Sequence, residues 1–341
     1  EDTPKDILSM SDPPRYLVKV NQDFLQYHRT IDRERYTEGT TNHDRLQNAY
    51  IHHSLPYRLR PSPKNVLVVG AGGGNDVEGA LLNGAQHVDA VEIDPVLVKI
   101  AERINASGVY FDPRVRTVIN DARAFFVNAE PIYDHIIFGY LDSQALFSSK
   151  STIRLDGFVY TVESMRTAYK LLNEDGLLSL SFAAGTDWIT KKLILMVFEA
   201  TGKLPVVYTL DGNINPDGGP VNMHVSKDQI DPPPEHGHFK RVLLPPAIQK
   251  ESTLSLATDD WPFLYMKEKG VPVDYLTVIS VLLIISFLTL FSVARRQWKK
   301  YQTHFFFLGA GFLLLETKSI TDCSLYFGTT WFVTMLVIAG I

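Results

Sequence analysis

Asn65-Val-Leu-Val-Val-Gly70-Ala-Gly72-Gly-Gly74-Asn-Asp76-Val-Glu-Gly-Ala-Leu-Leu82, followed after a short link by His87-Val-Asp-Ala-Val-Glu92-Ile-Asp94-Pro95, is the stretch that decides the fold. Val66 to Val69 is a continuous apolar run, as expected of a parallel strand buried on both faces. Gly70 and Gly72 to Gly74 come next, then a helical pattern with Val77, Ala80 and Leu81 on one side. A second apolar run, Val88 to Ile93, closes on two acids, Glu92 and Asp94. The order is strand, glycine turn, helix, strand with a terminal carboxylate. Glycines let a backbone turn with positive φ and approach a ligand closely. A carboxylate about 20 residues after the first glycine stands where a ribose hydroxyl needs an acceptor.

A structural turn is the competing reading, but the flanking strands and the spaced acid favour a nucleoside site. The dinucleotide form is disfavoured, because Gly70-x-Gly72-x-x brings Asn75, not Gly or Ala, to the third glycine position. That points to a mononucleoside such as S-adenosylmethionine. No Gly-Lys-Ser/Thr follows the turn, which argues against a phosphate-binding P-loop.

Composition narrows the classes further. The 341 residues are 45% hydrophobic and 21% charged, enough for one large core or two smaller ones, and the net charge is −5. With no long basic run in the first 270 residues, nucleic acid is not an expected partner. Cys323 is the one cysteine, so neither an intrachain disulfide nor a cysteine metal site is expected, and no metal is assigned. The chain starts at Glu1 and stops within an apolar run at Ile341, as a piece of a longer protein would.

Tyr275 to Ala294 carries no charge over 20 residues and is followed by Arg295, Arg296, Lys299 and Lys300. That length crosses a hydrocarbon core of about 30 Å. Phe305 to Leu315 and Cys323 to Ile341 are further apolar runs, with Glu316 and Lys318 near one end of the second segment. The expected organisation is therefore 1–64 as linker, hairpin and helix, 65–270 as a Rossmann-like domain, and 271–341 as a multi-pass membrane region. Its spans are placed at 274–294, 303–320 and 323–341, with the lipid bilayer as a partner.

Along the chain, Tyr16 to Val20 and Phe24 to His28 read as a hairpin, and Asp44 to Leu55 as a helix. His52 and His53 are adjacent, point different ways on that helix, and are read as packing or surface residues. A helix follows Pro95. Strands are expected at Arg114 to Ile119, His135 to Phe138 and Leu177 to Phe182. Helices are expected from Phe125, over Thr161 to Leu172, and over Asp187 to Thr201. Ser148 to Asp156, Asn213 to Pro220 and Asp231 to His238 read as loops. The alternation of strand and helix over 65–210 predicts an α/β fold with a doubly wound parallel sheet. Ligands of such sheets bind at the strand carboxyl ends, where the glycines, Glu92, Asp121 and Asp142 all fall.

At this point the chain resembles the spermidine synthase-like branch of the S-adenosylmethionine-dependent transferases, over roughly 16–210. Val69 to Gly74, Val91 to Asp94, Asn120-Asp121-Ala122, Tyr133 to Ile137 and Val159 to Glu163 carry the likeness. Thr258-Asp-Asp-Trp-Pro-Phe263 and Phe307 to Glu316 are similar to bacterial members fused to transmembrane helices. The resemblance implies a class I methyltransferase-type fold and S-adenosylmethionine or its decarboxylated form as co-substrate, without a metal. Gly70, Gly72 and Gly74 would pass the methionine end and Glu92 would accept from the ribose hydroxyls. Asp121, with the Ala122 backbone beside it, would hold the adenine amino group. Asp142 would face a small acceptor, an amine in the polyamine reading, with Tyr140 as the alternative base; a homo-oligomer is the remaining partner expectation.

Two departures from the family pattern stand out. Spermidine synthases carry an acid within the glycine turn and another directly after the fourth strand; here those places are Gly73 and Gly139. Two readings follow: a transferase moving a methyl or aminopropyl group, or a non-catalytic nucleoside-sensing domain governing a membrane partner. The four basic residues after the first apolar segment, against Lys267 and Lys269 before it, place residues 1–270 outside the cell. The cytosolic origin of the co-substrate places them inside, and a cytoplasmic domain is the expectation adopted.

Overall fold

The computed structural model describes residues 16–20, 23–28, 30–31, 43–105, 107–141, 157–245, 248, 253–271, 273–294, 303–328 and 331–340. Asp142, the 148–156 loop and the basic residues from Arg295 to Lys300 lie outside them. The chain divides into two compact units, Glu1–Lys267 and Glu268–Ile341.

In the first unit, β1 (Tyr16–Val20) and β2 (Asp23–His28) form the expected antiparallel hairpin, a sheet of its own. Helix α1 spans His43–Leu59 and passes through Pro56 beyond the expected end at Leu55. The main series follows: β3 (Asn65–Val69), α2 (Asn75–Leu82), β4 (His87–Glu92), α3 (Pro95–Ile104), a 3₁₀ turn (Val109–Phe111), β5 (Val115–Ile119), α4 (Ala122–Asn128), β6 (Tyr133–Phe138), α5 (Val162–Lys170), β7 (Leu172–Ala184) and α6 (Asp187–Thr201). Then come β8 (Val206–Thr209), β9 (Gly219–Ser226), β10 (Glu235–His236) and β11 (Phe239–Val242).

One nine-stranded sheet results, in the order β10-β11-β8-β9-β7-β6-β3-β4-β5. Strands β5, β4, β3, β6 and β7 are parallel neighbours, as the alternation predicts. Alternate residues of β3 serve two cores. Leu67 and Val69 pack with Ile136, Phe138, Leu178 and the apolar faces of α5 and α6. Val66 and Val68 pack with Val77, Ala80, Ala90 and Ile137. The continuous apolar run is thus explained by burial on both sides.

The expectation of a wholly parallel sheet needs correction, because β9, β8, β11 and β10 continue it antiparallel from β7. Strand β9 begins inside a stretch read as loop, at Gly219-Pro220, and its Asn222, His224 and Ser226 are polar yet buried. One polar atom of two of them is paired across to β7: Ser181 Oγ donates to Asn222 Oδ1 (2.8 Å), and His224 Nδ1 meets Ser179 Oγ (2.9 Å), while Asn222 Nδ2 and His224 Nε2 find no partner among the described residues. A buried polar side chain costs little once it is hydrogen-bonded. Strand β7 also runs longer than expected. Leu172 and Leu177 face Tyr133 and His135, so the turn Asn173 to Gly176 is held inside the strand as an irregularity.

The second unit holds α7 (Val273–Ala294), α8 (Thr303–Phe327) and α9 (Trp331–Gly340). Among the described residues one helix is long and apolar enough to cross a membrane, over Val273–Ser292, with mean hydropathy 2.3. The boundary between the expected spans 303–320 and 323–341 falls within the single helix α8, which carries Glu316 and a Lys318–Asp322 pair (2.6 Å) one turn apart. A membrane region of several spans is not established by these elements.

Candidate functional site

Strand β3 hands the chain to β4 on one side and has β6 on the other, so the order of the sheet reverses between β3 and β6. Such a switch point opens a crevice outside the strand carboxyl ends. The glycine turn follows β3 there, Gly139 follows β6, Glu92 is the last residue of β4, and Asp121 follows β5 by two residues.

Gly70, Gly72 and Gly74 have φ of 69°, 46° and 85°, a region that side chains rarely enter. The structure adds a packing reason at two of them. A Cβ on Gly70 would lie 1.7 Å from Leu141 Cδ2, and one on Gly74 would lie 2.6 Å from Val109 Cγ2 and 3.2 Å from Asn105 Nδ2. At these two positions, then, the turn is glycine-rich partly because neighbouring protein side chains close over it. Asn105 Nδ2 donates to the Gly73 carbonyl (2.6 Å) and Tyr110 Oη to the Gly72 carbonyl (2.7 Å).

Glu92 fastens the turn from the other side. Its Oε2 accepts from the Gly72 N–H (2.9 Å) and its Oε1 from the Asp94 N–H (3.0 Å). Asp94 in turn accepts from the Val96 N–H (2.8 Å) as the N-cap of α3, with Pro95 at the first helical position. Burial pushes the Glu92 carboxyl upward; the N–H groups of Asp94, Gly72 and Ile93 work against it. Each carboxylate oxygen has two acceptor sites, so holding the turn and accepting from a ribose are compatible. Burial, followed by the nearby Glu92 charge, raises the Tyr110 hydroxyl as well, and it stays a neutral donor to the turn.

Asp121 is almost fully buried and is the N-cap of α4, accepting from the N–H groups of Arg123 (2.8 Å) and Ala124 (3.3 Å). Ala122 packs into the main core beside it. The 258–263 stretch closes onto these elements. Asp259 accepts from Arg123 (2.6 Å) and Thr161 Oγ1 (2.7 Å), and its N–H donates to Glu163 (3.0 Å). Burial pushes the Asp259 carboxyl up, opposed by Thr161 and Arg123. The structure therefore gathers the turn, Glu92 and Asp121 at adjacent strand ends. Tyr140 is partly exposed just past β6, while Asp142 lies outside the described residues.

Sequence reading passed over two groups that meet here. Of the adjacent histidines, read as packing or surface residues, His52 is half-buried and His53 is packed inside, where its Nδ1 donates to Asp76 Oδ1 (2.7 Å), the His53 and Asp76 side chains being 8% and 17% exposed. An ionised carboxylate only accepts, so Nδ1 carries the proton. The other oxygen, Asp76 Oδ2, lies 2.5 Å from where a Cβ on Gly139 would stand. His52 stacks on Tyr140, ring centroids 5.1 Å apart and planes at 18°. The available signal was Asp76 itself, an acid two residues past the turn; its pairing across 23 residues needs the fold. Among the described residues no group of three or more His, Cys, Asp or Glu is placed to hold a metal ion.

Comparison with known proteins bears on the same elements. Residues 46–209, from within α1 to the end of β8, match the spermine/spermidine synthase domain. The chain is 32% identical over 139 residues to a polyamine aminopropyltransferase of Clostridium botulinum, covering 39% of this chain and 46% of that protein. It is 27% identical over 178 residues to a polyamine aminopropyltransferase of Bacillus mycoides, covering 49% of this chain and 60% of that protein. The structure of spermidine synthase from Thermotoga maritima aligns with a TM-score of 0.44 and 20% identity, over 68% of this chain and 75% of that one. The chain spans about half the length of the curated relatives it matches. The sequence matches support a spermidine synthase-like domain over the strands that build the crevice.

Proposed function

We propose that the 46–209 domain is a transferase that binds decarboxylated S-adenosylmethionine at the carboxyl ends of β3, β4 and β5 and passes its aminopropyl group to an amine. The observation that carries the reading is Glu92, buried at the end of β4, pinned to the glycine turn and still able to accept from a ribose. Asp121, two residues past the neighbouring strand, suits the adenine end. The matches to polyamine aminopropyltransferases supply the chemical class.

In that reaction the lone pair of the acceptor nitrogen attacks the carbon next to the sulfonium. The carbon–sulfur bond breaks, its electron pair stays on sulfur, and methylthioadenosine leaves as a neutral thioether. An acceptor that arrives as an ammonium must first give up one proton. The donor carries the reactivity; the protein supplies alignment and a proton acceptor.

Gly73 favours a second donor. With no acid in the turn, nothing there repels the carboxylate of intact S-adenosylmethionine. Calorimetry of the full chain with the decarboxylated donor, intact S-adenosylmethionine and methylthioadenosine tests both forms. Release of methylthioadenosine with a panel of diamines tests transfer. Nucleoside binding without turnover on any amine would make this a sensing domain instead, and absence of nucleoside binding would refute the site. The reading also takes α7 as a membrane anchor and the 46–209 domain as cytoplasmic, where the donor is made.

A further inference from the structure

The strand β6 ends at Phe138, and the chain itself offers no acid there until Asp142, since Gly139, Tyr140 and Leu141 intervene. A carboxylate nevertheless occupies that strand end. It comes from the second residue of α2, on the opposite side of the crevice. Asp76 Oδ2 stands against the Gly139 Cα so closely that any side chain at 139 would collide with it. Gly139 is not in the left-handed region, so its φ does not demand glycine. The space does.

Other titratable groups surround Asp76. His53 binds Oδ1, and His52 and Tyr57 come from the same helix α1. Tyr110 of the 3₁₀ turn faces it, and Tyr140 stacks on His52. Burial would raise the Asp76 carboxyl, but the charge and hydrogen bond of His53, with His52 beyond it, outweigh burial and hold it low. An ionised, largely buried carboxylate at the switch point, with one oxygen turned to the end of β6, is a site for a cation.

We propose that Asp76 is the carboxylate that receives the acceptor ammonium and takes its proton, with His53 as the residue that positions it. The inference rests on the transferase reading and deepens it. The acceptor R–NH₃⁺ pairs with Asp76 Oδ2 and gives one proton to the Asp76–His53 pair, which passes it to solvent. The freed R–NH₂ attacks the donor carbon; a nitrogen–carbon bond forms, the carbon–sulfur bond breaks, and the product leaves as a secondary ammonium. Charge is conserved, since the sulfonium loses a positive charge as the nitrogen gains one. The acceptor class is therefore a primary alkylamine, and Gly139 is small to admit Asp76.

A structural tie between α1 and α2 would use the same hydrogen bond, so the test moves the charge without restoring the tie. Turnover is followed in the full chain with decarboxylated S-adenosylmethionine and a diamine panel including putrescine, and methylthioadenosine affinity by calorimetry. Asp76→Asn should lower turnover about 100-fold or more, the range of a lost general base, and leave methylthioadenosine affinity within about 3-fold. His53→Gln should move the acidic limb of the turnover pH profile. The double variant Asp76→Ala/Gly139→Asp, which carries the carboxylate on β6 itself, should regain at least about 10-fold of the loss. Parent-like turnover in Asp76→Asn would overturn the inference while the transferase reading stands. So would nucleoside binding lost in step with turnover, or a double variant no better than Asp76→Ala. A parent that binds no nucleoside, or makes no product with any amine, overturns the transferase reading and this inference with it.

Discussion

Gly139→Ala isolates the contact on which the acceptor site depends. The new Cβ would stand 2.5 Å from Asp76 Oδ2, and carbon and oxygen in van der Waals contact need roughly 3.3 Å, so the carboxylate must retreat by about 0.8 Å. The His53–Asp76 hydrogen bond, now 2.7 Å, would open to about 3.5 Å, beyond useful geometry. A hydrogen bond to a charged group contributes about 1.5–3 kcal/mol. Against this, alanine restricts the unfolded chain and returns about 0.4–1 kcal/mol where its φ is allowed, as it is here. The expected net loss is about 1–2 kcal/mol. With Ala at position 76 the obstacle is gone, and the same Gly139→Ala change should be neutral or slightly stabilising. Urea unfolding of the four members of the cycle, followed by tryptophan fluorescence, should give a coupling of about 1.5–3 kcal/mol. Equal cost of Gly139→Ala with Asp or Ala at position 76 would refute the proximity of the carboxylate to β6, and with it the acceptor geometry.

Glu92→Ala should weaken methylthioadenosine binding by about 1–3 kcal/mol in calorimetry, because it removes a charged acceptor and unfastens the Gly72 N–H; parent-like binding would place the ribose elsewhere. Asp121→Ala should cost about 1 kcal/mol of stability as a lost cap and abolish the preference for adenosine over inosine forms, read by competition binding. Burial holds His135 down at about 4 and His224 at about 3, below the ordinary 6.5, so the unfolded chain binds the extra protons. Their contribution to stability is complete above about pH 6.5 and is lost as pH falls toward 4. His135 alone should account for about 2 kcal/mol between pH 7 and pH 5 in urea midpoints, a drop that His135→Gln should shrink. For orientation, a cysteine in the exposed β8–β9 loop, Asp217→Cys in a Cys323→Ser background, should resist a membrane-impermeant thiol reagent until cells are lysed; labelling of intact cells would put the domain outside.

Local pattern carried much of the fold. The run Val66 to Val69, the glycines after it and the acid at Glu92 are each intelligible from neighbours in sequence, since strand burial, turn φ and helix capping are short-range effects. The parallel half of the sheet followed from their alternation, and the positions of Glu92 and Asp121 at strand ends were legible because the carboxyl end of a strand is a place that sequence reveals. The antiparallel half was hidden. Strand β8 has four residues, β9 starts on Gly219-Pro220, and its buried Asn222 and His224 meet Ser181 and Ser179 only once β7 lies alongside. The partner of His53 was hidden for the same reason: amphipathic spacing on α1 says nothing about a carboxylate on α2. Gly139 looked like a missing acid when read along the chain. Only the packing of α2 against the end of β6 supplies one, because a side chain seven residues past β3 reaches a strand that lies 63 residues further along the sequence.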